Sequence, residues 1–192
     1  RTEWDAGHLT RPVRQVIAGM ARRGHLDVGW VGLFVTMVLR ELGVYFDPAD
    51  AGPRSAVRNA VAQALRGAQP AVVIAHSMGS VVAYETLWEN PDLHVDLLLT
   101  VGSPLGLPGL VFPKLSPAPD SNGGRPPNVR RWVNLADPGD LCAVPRWLRR
   151  VFPGIDEDIE APVGVFEFHK VAKYLACPAM GDILRPYLVA YA

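Results

Sequence analysis

Ser77 lies in the stretch Pro70-Ala-Val-Val-Ile-Ala-His76-Ser77-Met78-Gly79-Ser80-Val-Val-Ala-Tyr-Glu85. A serine hydroxyl is a weak nucleophile and must be held where a base can take its proton. This stretch predicts such a setting. Residues 71–75 are an unbroken apolar run rich in β-branched side chains, the pattern of a strand covered on both faces. From Ser80 onward, Val81, Val82, Tyr84, Leu87 and Trp88 return at helical spacing. The turn between them, x-His-Ser-x-Gly, nearly matches the nucleophile elbow G-x-S-x-G, with Ala75 in place of the first glycine. Small residues on either side, Gly79 among them, are expected to let the chain reverse sharply. The backbone N–H of Met78 opens the helix and is the expected oxyanion donor. The plainer reading makes Ser77 a polar residue between a core strand and a core helix. The strand before, the helix after and the adjacent His76 favour the chemical one.

A serine elbow needs a base and an acid, and in α/β-hydrolase chain order these follow as Asp or Glu, then His. His8 and His25 precede Ser77, and His94 precedes the third strand and any acid after it. His76 is expected to point elsewhere from the tight turn. His169 alone comes late enough, directly after the apolar run Val163 to Phe168. For the acid, the end of a strand over Val129 to Ala136 offers Asp137 and Asp140. One would orient the imidazole, and the other would cap the Pro-Gly turn. Asp92, Asp96 and Asp120 are worse placed, and Asp156 to Glu160 reads as a solvated acidic face. Ser103 is a poor rival nucleophile, because Pro104 follows it and no helix begins there. The scattered histidines and the lone Cys142 and Cys177 lack metal-ligand spacing, so no metal and no cofactor are expected.

The elements that must position these groups alternate. A helix is expected from Thr10 to Gly24, then the most hydrophobic segment, Val28 to Phe46. The apolar part of that segment is shorter than the roughly 20 residues a spanning helix needs. It reads as a core helix, or as a lid or a partner- or lipid-facing surface at 28–46, in which Trp30, Leu33, Phe34 and Met37 could line an apolar cleft. An amphipathic helix follows from Ser55 to Leu65, with Val57, Val61, Ala64 and Leu65 inward and Arg54, Arg58, Asn59 and Gln63 outward. Beyond the elbow come a strand at Val95 to Val101, stopping at Gly102-Ser103-Pro104, and a Pro- and Gly-rich loop from Leu107 to Pro127, either a cap or a surface excursion. One or two helices close the chain, broken at Pro178. Strands alternating with helices give an α/β domain with a mostly parallel sheet flanked by helices. The expectation is one domain over 1–192, with a helical insert or lid-like region at 1–53 and a core at 54–192.

The 19 basic and 19 acidic residues balance, which argues against nucleic acid or an anionic membrane as partner. Two cysteines suit a reducing, cytoplasmic compartment, and no signal peptide is visible. The chain starts at Arg1 rather than Met, as a trimmed, processed or excised chain would.

His76-Ser77-Met78-Gly79, Gly102-Ser103-Pro104-Leu105-Gly106, Trp132-Val-Asn134-Leu-Ala-Asp137-Pro-Gly-Asp140, and His169 followed by Tyr174-Leu175 together resemble a bacterial serine hydrolase of the α/β-hydrolase superfamily, esterase/lipase branch. The resemblance runs from about Arg54 to the end. It implies a Ser77–His169–Asp140 triad, with Asp140 matching the second Asp of Asn-x-x-Asp-x-x-Asp and Asp137 as the alternative acid. It also implies an acyl-enzyme route on an ester, with a lipid or acyl ester as the expected substrate. The superfamily's usual strands before the elbow, and the His-Gly turn that supplies a second oxyanion donor, have no counterpart upstream of Ser55. A thioesterase or acyltransferase would use the same triad, and a non-catalytic hydrolase-like binding module is the competing expectation.

Overall fold

A computed structural model describes residues 28–163 and 169–188, with the side chains of 28–35 and 37 excepted. The helix expected at 10–24, His8, His25, the run 164–168 and the chain end at 189–192 lie outside the described residues. So do the side chains of Trp30, Leu33, Phe34 and Met37. The elements in chain order are α1 (Val28–Tyr45), α2 (Gly52–Ala68), β1 (Val72–His76), α3 (Met78–Glu89), β2 (Val95–Val101), β3 (Val129–Ala136), β4 (Glu157–Glu160), α4 (Val171–Ala176) and α5 (Pro178–Leu188). Short 3₁₀ turns cover Phe112–Lys114 and Leu148–Arg150.

The four strands form one parallel sheet in the order β1-β2-β3-β4. Parallel neighbours need crossovers, and these run over one face. The first is α3; the second is the 102–128 segment, which buries Leu105, Leu107, Leu110, Val111 and Leu115; the third buries Leu148 and Phe152. Side chains alternate across the sheet, so Leu98 and Trp132 point into this core while Leu97, Leu99, Val133 and Leu135 point to the other. That second core is covered by Tyr174, Cys177, Met180 and Ile183 of the C-terminal helical segment. The result is an α/β sandwich of helices on both faces of a parallel sheet. No helix among the described residues is long and apolar enough to cross a membrane.

Four expectations need correction. First, the elbow strand is not covered on both faces: Val72 and Val73 are half-buried and Ile74 is 37% exposed. β1 is the outer strand of the sheet among the described residues, with β2 on one side only. Second, α2 does not turn Arg54 and Arg58 to solvent. Arg54 Nε (2.9 Å) and Nη2 both donate to Glu85, a fully buried carboxylate on α3, and Arg58 lies 3.7 Å from it. Val57, at 42%, and Ala64 are exposed, although both are expected to face inward. A buried carboxylate requires paired donors, and hydrophobic periodicity carries no trace of that demand. Tyr45 of α1 (2.7 Å) and the Ser116 N–H (2.9 Å) also donate to Glu85, so one charge ties together two helices and the long loop. Third, that loop is therefore no surface excursion; it is pinned at Ser116 and packed through Leu110, Val111 and Leu115. Fourth, the acidic run is exposed at Asp156, Glu157 and Glu160, as a solvated face should be, but it also forms a strand, β4. Asp156 accepts the Trp132 N–H (2.8 Å), and Asp158 accepts from Asn134, Leu148 and Arg149, so the carboxylates stitch the sheet edge to the 146–149 turn. Charge alone concealed it.

Candidate active site

The carboxyl ends of parallel strands are where loops gather and groups converge. β1 ends at His76, β2 at Val101 and β3 at Ala136, all at one edge. Ser77 follows β1 with φ 52° and ψ −129°, a left-handed backbone that a non-glycine residue adopts only when its surroundings impose it. Three hydrogen bonds impose it here. The Ser77 N–H donates to the Val101 carbonyl (3.1 Å), which continues the β1–β2 ladder. The Ser80 N–H (2.9 Å) and Ser80 Oγ (2.6 Å) both donate to the Ser77 carbonyl. Ser80 Oγ in turn lies 2.7 Å from Ser103 Oγ, which accepts the Leu105 N–H (3.3 Å). Because Ser80 donates to Ser77, Ser103 is the donor in the pair. Ser103 is buried and serves this chain of hydroxyls beneath the turn.

The turn presents the Ser77 hydroxyl to His169, whose Nε2 lies 2.7 Å from Oγ. His169 Nδ1 faces both carboxylate oxygens of Asp140 at 2.9 Å. Ser77, His169 and Asp140 thus form one continuous hydrogen-bonded series, with the imidazole half-buried and Asp140 fully buried. Asp137 stands apart: Oδ1 accepts the Gly139 N–H (2.6 Å) and Oδ2 the Val163 N–H (2.5 Å), so it caps the turn that carries Asp140. A hydroxyl, an imidazole and a carboxylate in this order can draw the hydroxyl proton onto the ring while the carboxylate steadies the charged ring. The Met78 N–H belongs to the first turn of α3, where a helix leaves its amides without internal partners. Such an amide can receive negative charge developing beside Ser77.

Four features around the relay escaped sequence reasoning. His76 does not point away; its ring lies against that of His169, with centroids 4.6 Å apart and the planes tilted by 41°. Burial, and then the neighbouring His169, push the His76 pKa below its ordinary value, so the imidazole behind His169 favours the neutral form. Tyr174 donates to Asp140 Oδ2 at 2.6 Å. Gly102, with φ +55°, sits so close that a Cβ there would lie 2.6 Å from Asp140 Oδ2 and 3.3 Å from His169 Nδ1. Gly79, the glycine of the motif, shows no such crowding: a Cβ there meets nothing outside its own helix. A glycine directly after a buried strand was the signal available for Gly102.

The fourth feature is Cys142, whose ligand atom clusters with those of Asp140 and His169 within 4.8 Å, a grouping in space that spacing along the chain does not show. Burial, and then the Asp140 charge, drive its thiol well above the ordinary range, so it stays protonated. A metal would need the thiolate and would displace the Asp140–His169 bond. The set fits a proton relay better than a metal site. Comparison with known protein families, curated proteins and solved structures found no match.

Proposed function

We propose that this chain is a serine hydrolase of α/β-hydrolase type that cleaves a carboxylic ester through an acyl-enzyme. The observation that carries this reading is the unbroken hydrogen-bonded series from Ser77 Oγ through the His169 ring to Asp140 at the sheet's carboxyl edge. In this mechanism Ser77 Oγ attacks the ester carbonyl carbon while its proton passes to His169 Nε2. The oxyanion is stabilised by the Met78 N–H. As the tetrahedral intermediate collapses, the bond to the alcohol oxygen breaks and His169 returns the proton to the leaving alcohol. Water then attacks the acyl-serine, giving its proton to His169, and Ser77 is released with the carboxylic acid. Asp140 holds the ring in the tautomer whose Nε2 can accept, and stabilises it once charged. Thioesters would follow the same path.

Asp140 is preferred to Asp137 as the acid because Asp137 is committed to two backbone amides. Turnover of short-chain p-nitrophenyl esters, compared between the wild type and Ser77→Ala, tests the proposal. The variant is expected to lose on the order of a million-fold in kcat, the scale seen when the nucleophile of such a triad is removed. Equal turnover by the two proteins would refute it, and turnover by neither above the uncatalysed rate would leave a hydrolase-like binding module as the better description.

A further inference from the structure

We propose that Tyr174 is a positioning residue that fixes the Asp140 carboxylate in the plane and register His169 requires; this rests on the serine-hydrolase reading of the same site. A carboxylate on a short side chain turns easily about its last torsion, whose wells are broad. Here each oxygen is held by its own donor. Oδ1 accepts the Cys142 N–H at 2.8 Å, and Oδ2 accepts the Tyr174 hydroxyl at 2.6 Å. The direction of the Tyr174 bond is set from outside, because its oxygen also accepts the Asp137 N–H at 3.0 Å. An oxygen receiving that proton turns its own toward Asp140. The series Asp137 N–H, Tyr174 O–H, Asp140 Oδ2 therefore has one polarity.

Placement adds to this. Tyr174 is fully buried in the second core and lies on α4, five residues beyond His169. The base and the brace of its acid are thus carried by one short segment. Among the described residues, the groups facing Asp140 and His169 include His76 at the end of β1 and Ser77 just after it, Asp137 and Cys142 around the turn after β3, and Tyr174 of α4. Glu41 of α1 acts on this set through Cys142. Tyr174 is the one side chain among these that donates to the carboxylate without belonging to the relay or titrating near neutrality, since burial raises its pKa.

The hydroxyl has a chemical consequence that a packing residue would not have. Sharing a proton with Asp140 spreads the carboxylate charge and weakens its pull on a protonated ring. Removing the hydroxyl should favour protonated His169 at higher pH and loosen its aim at Ser77. The experiment is the pH dependence of fluorophosphonate labelling at Ser77 in the full chain, for the wild type and Tyr174→Phe. Tyr174→Phe is expected to label about 10- to 100-fold more slowly, up to the cost of a misplacement of about 1 Å, with its acid limb moved to higher pH. If folding fails in Tyr174→Phe, a monofluorinated tyrosine at 174 gives the second measurement. It is nearly isosteric and a stronger donor, so the limb should move to lower pH.

A folded Tyr174→Phe whose limb coincides with the wild type, whatever its rate, overturns the inference while Ser77 labelling keeps the hydrolase reading. An unmoved limb in the fluorinated protein does the same. A wild type that does not label at Ser77 removes the hydrolase reading and this inference with it.

Discussion

Gly102→Ala adds one methyl group to the site, and its effect can be worked out from the coordinates. The new Cβ would stand 2.6 Å from Asp140 Oδ2, against about 3.4 Å for ordinary contact, so one partner must retreat by about 0.8 Å. The glycine backbone is held in place, because the Gly102 N–H donates to the Leu135 carbonyl in the sheet. Asp140 is held as well, by Cys142, Tyr174 and His169. Retreat by 0.8 Å therefore breaks the bond to Tyr174 or the one to His169. The left-handed φ of +55° costs alanine about 1 to 2 kcal/mol. Losing a hydrogen bond to a charged group costs roughly 1.5 to 3 kcal/mol more. Unfolding stability should fall by about 3 kcal/mol. A comparable misplacement of catalytic groups costs on the order of 100-fold in rate, so kcat should fall by about that factor. Urea unfolding and ester turnover on the same preparation read both numbers. The matched control is Gly79→Ala, where the methyl meets nothing outside the helix and alanine is the better helix former by about 1 kcal/mol; its stability should hold or rise. Gly102→Ala with wild-type stability and turnover within about threefold of wild type would refute the reasoning.

Two further outcomes follow from charge burial. Glu85→Gln keeps the shape but leaves Arg54 and Arg58 facing a neutral amide, and should cost about 3 kcal/mol in urea unfolding, the low end for a broken buried pair, because Arg54 is 21% exposed; an unchanged midpoint would contradict it. His76 has a pKa in the fold below its ordinary value of 6.5, so the unfolded chain binds more protons between the two values. Its contribution to stability is complete above about 6.5 and is lost as pH falls toward the folded value. His76→Phe keeps an aromatic ring against His169 and should flatten the fall in urea midpoint between about pH 7.5 and pH 5; an unaltered slope would contradict it.

The sequence made legible whatever rests on local pattern. β2 and β3 match the apolar runs at 95–101 and 129–136, and the strand–turn–helix around Ser77 follows from a β-branched run meeting helical spacing. Chain order singled out His169 and left Asp137 and Asp140 open. The resemblance favoured Asp140, and in the structure Asp140 faces His169 while the backbone amides of Gly139 and Val163 occupy Asp137. What stayed hidden depends on contacts between distant segments. Arg54 and Arg58 turn inward because of Glu85, 31 and 27 positions away along the chain. β4 hides in an acidic run because its carboxylates bind backbone amides across the sheet edge. Tyr174 enters only with Leu175 as part of the resemblance, and its partner Asp140 lies 34 positions away along the chain.

The central claim is that the relay activates Ser77. The most direct measurement is covalent labelling of the purified chain by a fluorophosphonate, located by peptide mass spectrometry, with His169→Ala alongside. Labelling confined to Ser77 in the wild type and lost in His169→Ala is the predicted result. A folded wild type that takes up no label at Ser77, or a His169→Ala variant that labels as fast, would contradict it.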